Sequence, residues 1–159
     1  MSKKFFLVAV TLFACAAGAF AANILNLDLN YYCRGELKLL TEKLPEGVTF
    51  SGRRNYSQKK FANICLYTFR IDVDKVQEFE FEVEVVDTEG KGKVKLDPSL
   101  SPRGKFAVEC LEFEAGDESS AFVPCKITKW KSMIKGAMLV SQGDKITIKL
   151  KIRKVAAAE

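Results

Sequence analysis

The residue types that carry chemistry are unevenly supplied in this chain. It contains no histidine, so the commonest general base is missing and neither a Ser-His-Asp nor a Cys-His arrangement can be assembled. Aspartate and glutamate together number 20, but their spacing selects no pair as the opposed carboxylates that glycoside hydrolysis needs. The most regular acidic run, Glu78, Glu80, Glu82 and Glu84, alternates with apolar residues and therefore lies along one flat strand face. Asp72 with Asp74 and Asp117 with Glu118 are isolated acidic pairs, and no EF-hand loop surrounds them. The expectation is a chain that is not an enzyme and that carries neither metal nor cofactor.

Binding chemistry has better candidates. Residues 51–63 read S-G-R-R-N-Y-S-Q-K-K-F-A-N, a polar stretch without a period that gathers Arg53, Arg54, Lys59 and Lys60 around Tyr56. A basic loop with an aromatic suits an anionic glycan, a phosphate-rich surface or nucleic acid, and equally suits an ordinary solvated loop. Asn55-Tyr56-Ser57 also matches an N-glycosylation acceptor. The single tryptophan, Trp130, lies between Lys129 and Lys131. It is either a platform for the apolar face of a sugar ring or a packed core ring with outward lysines. Trp130, Tyr56, Arg53, Arg54, Lys59 and Lys60 are the candidate ligand-binding residues.

Cysteine speaks to compartment. Setting aside Cys15, four remain: Cys33, Cys65, Cys110 and Cys125. An even number in an exported chain reads as two disulfides, and the shorter loops favour Cys33 with Cys65 and Cys110 with Cys125. Zinc would want closer spacing and has no histidine to draw on.

The elements that must position these residues are strands. Residues 76–86 place Phe79, Phe81, Val83 and Val85 on one face and the glutamates on the other, a period of two. Residues 145–155 repeat the pattern with Ile146, Ile148, Leu150 and Ile152 opposite Lys145, Lys149, Lys151 and Arg153. A glutamate ladder needs basic neighbours. The expectation is that 76–86 lies between the last strand and a hairpin partner at 91–96, which carries Lys93 and Lys95. Further strands are expected near 24–32, 48–51, 64–73, 106–113, 122–130 and 133–140. In 106–113 the apolar parity slips between Cys110 and Leu111, the mark of a bulge. Residues 35–44 suit either a helical turn or a short strand. About eight short strands with turn signals between them predict an all-β fold, a single β-sandwich of jelly-roll-like or immunoglobulin-like type.

The chain opens with Lys3 and Lys4, an uncharged apolar run over 5–17, and a small-residue close in which Ala19 and Ala21 fit a signal-peptidase site. Residues 1–21 are therefore read as a signal peptide and 22–159 as the domain, secreted or periplasmic, with no transmembrane segment in the mature chain. Leu12-Phe13-Ala14-Cys15 offers a loose alternative, lipidation of Cys15. Loss of Lys3 and Lys4 with the leader would lower the formal charge from +5 to +3, a surplus too mild to imply a polyanion, and export argues against nucleic acid. The reading is an exported, non-catalytic binding module with carbohydrate as the first ligand class. The alternative is a structural or protein-interaction component of the cell envelope or extracellular matrix. The expected partner is accordingly a glycan or an extracellular protein.

Overall fold

A computed structural model describes residues 22–32, 34–58, 61–116, 126–128 and 137–157, with the side chains of 56–58, 61–63 and 126 left aside. Among these residues there is no helix, and none therefore that is long and apolar enough to cross a membrane. Ten strands are present: β1 (Ile24–Tyr32), β2 (Glu36–Leu39), β3 (Val48–Gln58), β4 (Phe61–Asp72), β5 (Glu78–Val86), β6 (Gly92–Ser101), β7 (Phe106–Ala115), β8 (Lys126–Ile127), β9 (Met138–Val140) and β10 (Lys145–Ala156). They form two antiparallel five-stranded sheets, β3-β4-β1-β6-β9 and β2-β5-β10-β7-β8.

The sheets pack face to face because alternate residues of nearly every strand are apolar, and each strand turns that set inward. Leu25, Leu27, Leu29 and Tyr31 of β1 meet Phe79, Phe81, Val83 and Val85 of β5 and Ile146, Ile148, Leu150 and Ile152 of β10 in one buried cluster. Phe69 of the first sheet stacks on Phe81 of the second, with ring centroids 3.6 Å apart. The two strongest alternations in the sequence are thus strands, and β10 does pair with β5, setting Lys145, Lys149 and Lys151 opposite Glu84, Glu80 and Glu78.

The hairpin expected between β5 and β6 does not form. β6 pairs with β1 in the other sheet, and the second neighbour of β5 is β2. The connection between β5 and β6 arches from one sheet to the other, with positive φ at Asp87 (53°) and Gly90 (78°). Both neighbours of β5 are taken by β2 and β10, and β6 instead fills the place between β1 and β9. The arch is also anchored. Tyr31 Oη lies 2.5 Å from Thr88 Oγ1, the Thr88 amide donates to Gln142 Oε1 at 2.6 Å, and Gly35 sits so close that a Cβ there would fall 2.4 Å from Thr88 Oγ1.

Two smaller expectations resolve cleanly. Residues 36–39 are a strand, β2, rather than a helical turn. In β7 the register slips so that Lys151 opposes Glu112 while Ile152 opposes Cys110. Leu111 is the extra residue and is 53% exposed, so the parity slip read from the sequence is a bulge.

Candidate functional site

The stretch over 51–63 is not a loop. Most of it is the outer half of β3 and the start of β4, an antiparallel pair at the edge of the first sheet. Its lack of period has two causes. β3 is an edge strand that is almost wholly polar past Phe50, and a register shift between Ser51 and Arg54 puts Gly52 and Arg53 together opposite Tyr67.

That bulge sends the two arginines to different places. Arg53 is turned toward the edge of the second sheet, where its Nη1 meets Glu36 Oε1 at 2.5 Å and its Nε donates to Asn55 Oδ1 at 2.7 Å. The Glu36 carboxylate raises the Arg53 pKa above its ordinary value. The buried Cys65 thiol donates to the same Asn55 oxygen at 3.1 Å. Nearby, the Leu37 amide donates to the Tyr67 hydroxyl at 3.0 Å. Burial pushes that hydroxyl up from its usual value, against the lowering effect of the Leu37 hydrogen bond. These contacts clasp the margins of the two sheets, and Arg53 belongs to that clasp rather than to an open binding surface.

Cys65 corrects the disulfide expectation. Its Sγ is turned to Asn55 Oδ1 and the Gly35 carbonyl, and no disulfide is formed among the described residues. Cys110 is half-buried in β7. Cys33 and Cys125 lie outside the described residues.

Arg54 instead points outward from the first sheet. The register builds its surroundings row by row. Arg54 opposes Leu66, Ser51 opposes Thr68, and Thr49 opposes Arg70 on β4, while Arg70 in turn opposes Asn26 on β1. Together they line a groove of 300 Å³ over β3, β4 and β1. Its walls are hydroxyls, an amide and the half-buried Leu66, with Arg54 and Arg70 exposed. Gly52 lies in the same groove, and a Cβ built there would meet nothing within 4 Å. Neither arginine makes an ion pair among the described residues. The Thr68 hydroxyl donates to Asp28 and the Ser51 hydroxyl to the Thr68 carbonyl at 3.4 Å, so the two guanidinium groups, the Thr49 hydroxyl and the Asn26 amide are the groove's donors toward carboxylates, sulfates and sugar hydroxyls.

Beside this groove stands a carboxylate pair. Asp28 of β1 is directly opposite Asp97 of β6. Thr68 Oγ1 donates to Asp28 Oδ1 at 2.7 Å. Burial pushes the Asp28 carboxyl above its ordinary value; the Thr68 hydrogen bond opposes this, and the Asp97 charge adds to it. Among the described residues no cluster of three or more ligating side chains suits a metal ion. Asp74 is committed elsewhere, to Lys154 and to Asn23 Nδ2 at 2.8 Å, and the Lys154 partner lowers its pKa.

Of the candidates named from sequence, Arg54 falls in the groove, Arg53 in the clasp, and Tyr56 on β3 opposite Ile64. Lys59, Lys60 and Trp130 lie outside the described residues, as do residues 1–21, expected to be a signal peptide, with Cys15 among them. Arg70, Thr49, Thr68 and Asn26 were not singled out beforehand. Each looks like a routine outward residue of its own strand, and only the pairing of β3, β4 and β1 sets them side by side. No protein-family model, curated protein or solved structure matches the chain.

Proposed function

We propose that the protein is an exported, non-catalytic binding module of the β-sandwich type, jelly-roll-like or immunoglobulin-like, and that carbohydrate is its first ligand class. The observation that supports this reading best is the groove on the outer face of the first sheet. Arg54 and Arg70 stand there, without ion-pair partners among the described residues, beside Thr49, Ser51, Thr68 and Asn26. Hydroxyl and amide groups match sugar hydroxyls as donors or acceptors, Leu66 offers apolar surface to a ring face, and guanidinium groups favour a sugar bearing acid groups. The absence of histidine from the chain supports a role without general-base chemistry. The leader-like start supports work outside the cytoplasm.

A structural or protein-interaction role in the envelope is the second reading. It draws on β3, an eleven-residue strand at the margin of its sheet, since such edges accept an added strand. The bulge at Gly52 and Arg53 interrupts that edge, which is how edges are protected from pairing, so the groove carries the first reading further.

A glycan array probed with the purified chain, alongside the Arg54→Ala and Arg70→Ala variants, tests the proposal. Binding to acidic glycans that both variants weaken is the expected result. An array without a hit, together with strand-dependent capture of an extended peptide, would move the assignment to the second reading.

A further inference from the structure

The groove has a direction. Arg54 is opposite Leu66, and Arg70 lies four positions further along β4, roughly 13 Å away at the rise of an antiparallel strand. Between these ends lie the hydroxyls of Ser51 and Thr68 and the side chain of Leu66. At mid-groove the row that crosses the strands through Ser51 and Thr68 continues onto Asp28 of β1 and Asp97 of β6, which stand side by side with no ion-pair partner among the described residues. The two positive charges are therefore spaced along the strands, while the direction across them ends on two carboxylates. An anion placed across the strands at that row would run onto the carboxylate pair, whereas one placed along β3 and β4 meets an arginine at each end.

We propose that this groove takes a linear acidic glycan lengthwise along β3 and β4, holding one acidic group at Arg54 and a second at Arg70. This rests on the carbohydrate-binding reading above and adds the ligand's charge, shape and orientation to it. Two consequences separate a lengthwise clamp from a general basic patch. Affinity rises in a step once an oligomer is long enough to reach both arginines, because the second contact is then made within one complex. Loss of either arginine alone removes the whole step.

Size-defined oligogalacturonates from monomer to hexamer, titrated calorimetrically into the full chain, test this. Reduced oligosaccharides of matched length without acid groups and a polyglutamate peptide serve as comparisons. Arg54→Gln, Arg70→Gln and the double variant are measured in parallel, with thermal melts to show that each is folded. The expected result is a gain of about tenfold or more between short and long acidic oligomers. Each single variant should abolish that gain and bind long oligomers no better than short ones, and the double variant should weaken binding further by removing the remaining contact. Equal affinity for short and long acidic oligomers would overturn the lengthwise clamp while leaving carbohydrate binding standing. Preference for the uncharged series would overturn the role of the arginines. Polyglutamate binding as tightly as the hexamer would overturn the glycan as occupant. No saccharide binding at all would overturn both this inference and the reading beneath it.

Discussion

The two outer faces of this protein are both polar, and they handle charge in opposite ways. On the β2-β5-β10-β7-β8 sheet, columns of one sign alternate with columns of the other. Lys38, Glu84 and Lys145 stand in one row, Glu80, Lys149 and Glu114 in another, and Glu78, Lys151 and Glu112 in a third. Lys149 reaches Glu114 at 3.8 Å, Arg153 is paired with Glu109, and Thr147 Oγ1 donates to Glu82 at 3.3 Å. A recess of 190 Å³ does open on this face, but its walls are Glu78, Glu80, Glu112, Lys149 and Lys151, whose charges answer one another. On the outer face of the β3-β4-β1-β6-β9 sheet, Arg54 and Arg70 stand apart from carboxylates, and two carboxylates face each other. One face spends its charges on its own neighbours. The other, among the described residues, leaves these two arginines without an ion pair. Charged residues alone therefore do not mark a site; what marks it is the lack of an internal partner.

That contrast can be broken or sharpened by measurement. The largest expected effect is on binding. Arg54→Glu should weaken an acidic ligand by at least about tenfold, the worth of a charge-assisted contact, while changing chemical stability by less than about 0.5 kcal/mol. Calorimetry and urea unfolding on the same preparation check both halves. A loss of stability comparable to that of a lattice variant would erase the distinction. Next comes the lattice itself. Lys149→Glu replaces two attractions, to Glu80 and Glu114, with two repulsions, and should cost about 1 kcal/mol in urea unfolding. Added salt should recover much of that loss, because these groups are exposed.

Asp28→Asn should act in the opposite sense, stabilising the protein by about 0.5 kcal/mol near neutral pH. The sign follows from linkage. Folding raises the Asp28 pKa above its ordinary 3.8, so the folded chain holds that proton more tightly than the unfolded one. Stability then falls as pH rises from the ordinary carboxylate value through the raised folded value. The advantage of the variant should be full above that window and vanish below it, as unfolding curves across acid pH will show. The smallest effect on stability is expected from Gly52→Leu, within about 0.5 kcal/mol, since the space around a Cβ there is open. A side chain at that position fills the groove, so ligand binding should fall although no charge has changed.

How far the sequence exposes this arrangement varies with the element. The strands at 76–86 and 145–155 are legible because each buries one face and solvates the other, so their hydrophobic period survives intact. The bulge at Leu111 is legible for the same reason, as a break in a period otherwise kept. β3 is not, because past Phe50 an edge strand with a bulge carries no alternation to read. The second partner of β5 is not legible either. Turn residues at 87–91 suit a hairpin and an arch alike, and the choice is made by which sheet has a vacancy, a property of the whole chain. The groove shows the same limit. Arg54 stands out through local charge density, whereas Arg70, Thr68 and Asn26 become neighbours only through pairings between distant segments.

The position of β10 bears on the order in which the molecule can be assembled. It is the middle strand of its sheet, and β5 and β7 are joined only through it. As the chain is made from the N-terminus, β2 with β5, and β7 with β8, remain separate ribbons, each open on both edges, until β10 arrives to bridge them. Contacts of such long sequence separation slow folding, and a half-built sheet exposes both apolar surface and unpaired edges. A chain that cannot close its second sheet until β10 is made carries that exposure through the whole of its synthesis.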